Sequence, residues 1–383
     1  MSICSLCNSK SFKNFYTIKK FPIYFGAIPA RDHHKIKKFP LKVSFCNKCN
    51  LVQQTDRIDE KYMNQVYSSS YYNCPSPKKS GMGLREIHKF WGFFKSLRQS
   101  PKKILEIASF DGYLLGLLKS KKWDIYGCDP SDASKKIAKK KFKKKIKTVF
   151  YKRGTYKKKV FDVVIFRNLL EHIYDLNTFL KDVSYSLKDG GHILIDVPNI
   201  KTIVKSGSFG VFFHQHLSYF SKNTIKQVLA KNGFKVIKIK EGNPNLFVYA
   251  KKVDKVLDKK ILNADQKFLL ENLDKSQEKQ KKIIKIFSDK NNNKIILFGM
   301  SALATSIINF LPLKLKSKIV MLSDNDKEKH GKLLAGFGKM ITHPKDIVQI
   351  KFDKILICSY FFKKEIINSL KKYVDNKKKI LTI

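Results

Sequence analysis

Four cysteines in this 383-residue chain fall in two CxxC pairs, Cys4 with Cys7 and Cys46 with Cys49, each followed by an asparagine (Asn8, Asn50) where a left-handed residue suits a tight turn. Each pair sets two thiolates on one side of its turn, and four such sulfurs satisfy tetrahedral zinc. A closed Cys4 site has no position left for water, so the metal would be structural. Disulfides are the competing reading, and a cytosolic setting disfavours them. A second concentration of chemistry lies in KILEIASFDGYLLGLLK (103–119) and DIYGCDPS (124–131), with Glu106, Asp111 and Gly112 in the first and Asp129 in the second. Asn168 and His172 follow in FDVVIFRNLLEHI (161–173), and His214, Gln215 and His216 in SFGVFFHQHLSYFS (208–221). Upstream, YSSSYYNCPSP (67–77) offers Tyr71 and Tyr72, whose hydroxyls could orient a sugar or polarise a carbonyl.

An apolar run, an acidic Asp-Gly turn and a resumption at helical spacing read as strand, tight loop and helix, opening a doubly wound domain. An acid ending the second strand is placed to accept hydrogen bonds from ribose hydroxyls, so the loop and Asp129 together imply an adenosine-like cofactor. A pyrophosphate would need two or three glycines in that loop. Only Gly112 is present, and the carboxylates beside it repel phosphate but suit the ammonium and sulfonium of S-adenosylmethionine. The alternative is a strand-turn-helix that binds nothing.

Asn168 and His172 lie four apart and are expected on one face of a helical turn, at the carboxyl edge of the sheet where ligands of such folds bind. His172 also reads as a core histidine. Two histidines and a glutamine among aromatics make an apolar wall carrying proton-transfer groups, which is how a histidine is tuned as a general base. A metal at the HxH spacing would lack a third ligand at sensible spacing. Cys74, Cys128 and Cys358 have no partner spacing, and the last two are expected in strand cores.

The formal charge of +47 resembles that of a nucleic-acid binder, but only six of the 78 basic residues are arginine and the lysines run from end to end. Base-edge and phosphate recognition leans on the guanidinium fork, so the lysine excess reads as compositional bias, with no nucleic-acid partner expected. The charge still favours anionic small-molecule substrates by long-range attraction. No apolar run approaches the roughly 18 residues that cross a bilayer, and MSICSLCNSK has no charged-then-apolar leader. No membrane partner and a cytoplasmic location are therefore expected. The sequence carries no signal for oligomeric state.

These residues need elements to hold them. Residues 1–75 read as an irregular, cysteine-bearing lobe with a tyrosine-rich joining loop. Across 76–252 helix and strand alternate: a helix at 84–98, strands at 104–108, 124–128, 160–167 and 192–197, a Lys-rich helix after Cys128, a helix at 176–187, and a closing antiparallel pair, KVIKIKE with NLFVYAKK. Residues 253–293 form an amphipathic helical connector, and 294–383 restart the pattern with KIILFGM, KIVMLSDND and FDKILICSY. The expected class is α/β: a class I methyltransferase Rossmann-like core, an N-terminal zinc-binding lobe and a second, C-terminal Rossmann-like domain. The single glycine of GMSALA makes a poor dinucleotide fingerprint there.

In this order and spacing the motifs resemble the three-domain, zinc-containing sugar C-methyltransferases that act on nucleotide-linked deoxyketosugars. The resemblance rests on the four cysteines, the 67–76 loop, EIASFDGYLL with GCDPS and RNLLEHI, and GMSALATSIINF with SDNDKEKHGKLLAG. It implies that Glu106, Ala108, Asp111 and Gly112 wrap the methionine end of S-adenosylmethionine, that Asp129 holds the ribose and that Asn168 lines the same pocket. The family's Tyr-x-Glu-His segment corresponds here to Phe213, His214, Gln215 and His216. His216 keeps the base that removes the proton beside the keto group, and His172 matches a second site histidine, with Gln215, Tyr72 and Tyr71 orienting the sugar. The tyrosine and glutamate are absent, Gly242-Asn-Pro-Asn245 replaces a Gly-Gly segment, and Phe110 stands where a polar residue is common. A neutral Gln215 cannot raise the basicity of its neighbour electrostatically. An O-methyltransferase on a sugar or related metabolite is therefore the alternative, and a non-catalytic binding module that kept the fold is a third reading.

Overall fold

A computed structural model of the chain describes residues 2–68, 81–119, 123–132, 134–242, 244–254, 265–360, 362–376 and 379–383. Tyr71, Tyr72 and Cys74 lie outside the described residues. The chain folds as two compact units: residues 1–13, 45–202 and 217–266 make the first, and 14–44, 203–216 and 267–383 the second.

The first unit is built on strands β1 (Lys103–Ile107), β2 (Asp124–Cys128), β3 (Ile146–Lys147), β4 (Phe161–Arg167), β5 (Leu187–Pro198), β6 (Phe234–Glu241) and β7 (Asn245–Lys252). Their order in the sheet is β6-β7-β5-β4-β1-β2-β3, with β1 to β5 parallel where they pair and β7 antiparallel to both neighbours. Because both faces are covered, the central strands β1, β4, β5 and β7 are apolar on both sides rather than alternating, whereas the edge strand β6 is largely exposed. Leu105, Val164, Phe166, Ile195 and Val248 point into one apolar layer, with helices α3 (Leu176–Ser186) and α4 (Lys222–Lys231). Ile104, Val163, Ile165, Leu194 and Phe247 point into the other, against α1 (Gly81–Ser96) and α2 (Tyr113–Lys119). Cys4, Leu6, Cys46, Cys49 and Leu51 belong to the first of these layers.

Two elements differ from expectation. The Lys-rich stretch after Cys128 is not one helix but a π turn (Ser134–Ala138), a single α turn (Lys139–Phe142) and a 3-10 turn (Lys143–Lys145). Lysines at i and i+4 without acids between them repel, and only Ser134, Ala138 and Phe142 are buried to hold the segment down. Asn168 and His172 also do not share a helix face. Asn168 is exposed in a left-handed conformation (φ 46°), and His172 ends a separate 3-10 turn, Leu170–His172.

The second unit holds strands β8 (Ile295–Phe298), β9 (Ile319–Ser323), β10 (Ile341–Thr342), β11 (Lys354–Ile357) and β12 (Ile380–Thr382), ordered β10-β9-β8-β11-β12 and parallel throughout. This is the strand order of a Rossmann half with its reversal between β8 and β11. Helix α5 (Gln266–Ser288) buries Leu269, Ile283 and Phe287, and α6 (Ala302–Phe310) follows β8.

Candidate active site

In the first unit the chain leaves β1 through Ala108–Gly112, where Ala108, Phe110 and Gly112 have φ of 59°, 45° and 72°. Two non-glycine residues in the left-handed region cost of order 1–3 kcal/mol each, so the surroundings must hold them there. Asp129 does much of this. Buried at the end of β2, its carboxylate accepts the Phe110 N–H at 3.0 Å on one oxygen and the Ser131 N–H at 2.8 Å on the other. The importance of Phe110 is therefore its backbone. Asp111 accepts the Tyr113 N–H at 3.0 Å and opens α2. A Cβ on Gly112 would lie 2.6 Å from the Phe142 ring, at a φ other residues avoid, so only glycine fits.

Glu106 is buried with Oε2 unpartnered, and burial pushes its carboxyl well above the usual range; Arg167 opposes this, and Asp111 and Asp129 add to it. Arg167 donates from Nε (3.0 Å) and Nη2 (2.8 Å) to Oδ2 of the fully buried Asp196, whose Oδ1 accepts from Asn245 Nδ2 at 2.7 Å. The Asp196 carbonyl accepts the Asn168 N–H at 2.8 Å, tying the turn after β4 to β5. Glu171 is fully buried with both carboxylate oxygens unpartnered, and burial holds its carboxyl far above the usual range. Beside it, His172 Nδ1 lies 3.2 Å from Tyr67 Oη. Leu217, the residue after His216, donates its N–H to the Glu171 carbonyl at 2.7 Å. The first unit thus brings Glu106, Ala108, Asp111, Gly112, Asp129, Asn168 and His172 to the carboxyl edge of its sheet.

Tyr67, Arg167, Glu171 and Asp196 were not singled out from sequence. A lone acid inside the apolar run HILIDVP, and a glutamate beside His172, were the signals available.

The cysteines Cys4, Cys7, Cys46 and Cys49 place their sulfurs within 4.8 Å of one another, with Cys4–Cys49 and Cys7–Cys46 each at 3.5 Å. A disulfide bond measures about 2.05 Å, whereas sulfurs around one tetrahedral zinc stand roughly 3.8 Å apart, so the set fits the metal. Asn8 and Asn50 are left-handed (φ 59° and 62°), and each donates its N–H to the carbonyl of Cys4 or Cys46 at 2.9 Å.

The HxH segment lies in the second unit, where its two histidines differ. His214 is 1% exposed, with its Nε2–H donating to the Phe21 carbonyl at 3.2 Å and its ring edge-on to Phe21 and Phe39. Burial pushes its pKa down to about 4. Gln215 is also buried, and His216 lies against the Phe213 ring at 4.1 Å. Because folded His214 stays neutral where the unfolded chain binds a proton, stability is full above pH 6.5 and falls as pH drops toward 4, by about 3 kcal/mol for this group. Thermal melts from pH 7 to pH 4.5 will show this, and His214→Gln will flatten the slope; an unchanged slope would assign it elsewhere.

Residues 83–239 match the family model for a methyltransferase domain, and residues 291–381 match the model described as C2185-like, N-terminal. A 73-residue stretch is 30% identical to the C-methyltransferase NovU of Streptomyces niveus, spanning 19% of this chain and 17% of that protein's length. Among solved structures, the PH0226 protein of Pyrococcus horikoshii OT3 aligns over 51% of this chain and 99% of its own at 17% identity, with a TM-score of 0.39. A SAM-dependent methyltransferase from Aquifex aeolicus aligns over 51% and 100% at 16% identity, with a TM-score of 0.34. With its strand order and its matched domain model, the first unit carries a class I methyltransferase core of Rossmann-like fold. The match to a methyltransferase domain covers residues 83–239 of the chain.

Proposed function

We propose that this chain uses S-adenosylmethionine to methylate a carbon of a nucleotide-activated deoxyketosugar, with His216 as general base. The observation that carries the reading is the left-handed 108–112 loop laced to Asp129 at the carboxyl edge of β1 and β2. The likeness to a C-methyltransferase over 73 residues supports carbon as the acceptor.

S-adenosylmethionine, when bound, supplies a sulfonium-activated methyl group. Asp129, already fixed by two N–H donors, has lone pairs left for ribose hydroxyls, and Gly112 lets the loop hold its left-handed turn against the Phe142 ring. Glu106 and Asp111 put carboxyl groups near the methionine end, with Ala108 and Asn168 lining the same pocket; a cation arriving there favours ionisation of Glu106. His216 takes the proton from the carbon beside the keto group, which makes that carbon the nucleophile. His172, Gln215, Tyr72 and Tyr71 orient the sugar. In this reading Cys4, Cys7, Cys46 and Cys49 hold structural zinc in the 1–75 lobe.

The test is incubation with S-adenosylmethionine and a panel of nucleotide-linked ketosugars, read by mass spectrometry for a methyl gain and by NMR for its position. A C-methyl resonance supports the reading, and an O-methyl resonance makes the acceptor a hydroxyl. If saturating S-adenosylmethionine does not raise the melting temperature, the chain is a binding module instead. For zinc, the purified protein is expected to hold one equivalent by elemental analysis, and Cys46→Ser to lose it together with several degrees of melting temperature. A full-length chain free of zinc and equally stable would refute the metal.

A further inference from the structure

We propose that the carboxyl edge of the second unit's parallel sheet is a seat for the histidine-bearing 203–216 segment, and that Gly210, Leu303 and Tyr360 are positioning residues for His216. The assignment of His216 as base rests on the function proposed above; the seat itself does not.

In a sheet ordered β10-β9-β8-β11-β12, a nucleotide would enter where the order reverses, between the loops that follow β8 and β11, with its phosphates at the N-terminus of α6. Here Ser301 Oγ donates to the Cys358 carbonyl at 3.1 Å, joining those two loops across the reversal. The backbone of Gly210 rests on the first turn of α6. A Cβ at position 210 would stand 2.7 Å from both Cα and Cβ of Leu303 and 3.0 Å from its nitrogen. The neighbouring Phe209 N–H donates to Tyr360 Oη at 3.3 Å, and the fully buried Phe209 ring packs edge-on to Phe310 and Tyr360. Phe212, also fully buried, lies on Tyr16 at 4.8 Å.

The acid that would meet a ribose is engaged as well. Asp324 accepts the Met300 N–H at 2.6 Å, the Asp326 N–H at 2.8 Å and the Lys329 ammonium at 2.9 Å. Asp129, by contrast, accepts two backbone N–H groups and, among the described residues, no ammonium. The same loop-to-acid lacing therefore serves two ends: one crevice is left to a ligand, the other is filled by the chain's own backbone.

Hydrogen exchange of the full-length protein tests the seat without any sugar substrate. The 203–216 segment is expected to be strongly protected. Gly210→Val, with Gly210→Ala as the milder variant, is expected to speed its exchange about tenfold or more, while the 103–131 segment keeps its protection and S-adenosylmethionine affinity stays the same. Saturating ADP or NAD is expected to change nothing at 299–303 or 358–360. Unchanged exchange of 203–216 in Gly210→Val, or protection of 299–303 by either nucleotide, overturns the proposal. Where the wild type turns over, Gly210→Ala and Tyr360→Phe are expected to lower kcat about tenfold to a hundredfold and to shift its pH profile, with KM for S-adenosylmethionine unchanged. If the wild type methylates nothing, the functional reading fails while the exchange result still judges the seat.

Discussion

His216→Ala is expected to lower kcat by about 10²- to 10⁴-fold while leaving S-adenosylmethionine affinity unchanged, the range typical of removing a positioned general base. The reason lies in the difference between the two histidines of the segment. His214 is 1% exposed beneath Phe21 and Phe39, with its Nε2–H donating to the Phe21 carbonyl, so its ring is shielded from a substrate. His216 is left as the candidate base. Deuterium exchange at the carbon beside the keto group, followed by NMR without methyl transfer, isolates this step. His216→Ala should abolish that exchange, whereas His214→Gln should retain it in proportion to the protein that remains folded. Full turnover by His216→Ala would remove the histidine-base mechanism.

Asp129→Ala is the second large effect, and it acts on the cofactor. The carboxylate carries the Phe110 and Ser131 N–H groups, and through Phe110 it holds a loop in which three residues are left-handed. Hydrogen bonds to a charged group contribute about 1.5–3 kcal/mol each. Losing a ribose partner together with the loop's anchor is expected to weaken S-adenosylmethionine binding by about 10²- to 10³-fold, measured calorimetrically. The thermal shift by the cofactor should shrink accordingly. Asp129→Asn keeps one oxygen acceptor and is expected to fall between. An affinity within a factor of a few of wild type in Asp129→Ala would place the ribose elsewhere.

The central strand positions were largely legible because both faces of these parallel strands are buried, which writes continuous apolar runs such as FDVVIF and HILIDV into the chain. The extra length of β5, which begins at Leu187 rather than His192, was not: Lys188 to Gly191 have no apolar signal. The broken turns after Cys128 were hidden for the opposite reason, since lysine has good helix propensity residue by residue and its repulsion is collective. Asn168 was misplaced because its left-handed φ accompanies a bond to the Asp196 carbonyl, 28 positions on, which no local pattern reports. The grouping of 14–44 and 203–216 with 267–383 was likewise invisible.

What the sequence determined by itself were features set by short covalent spacing. The CxxC pairs bring two thiols to each turn, and the acid at the end of β2 falls beside the loop after β1 because parallel neighbouring strands end in register. Only the tertiary structure decided burial and the electrostatic surroundings it creates. His214 and His216 are the same residue type two positions apart, yet one is bound into a core of aromatic rings; Glu106 and Glu171 look like ordinary carboxylates until burial pushes their carboxyls well above the usual range. The same holds for Gly210, an unremarked glycine in sequence, which touches Leu303 because residues 93 positions apart meet when the second unit folds. Such properties depend on which groups exclude water from which others, and that is set by packing between distant segments rather than by neighbours along the chain.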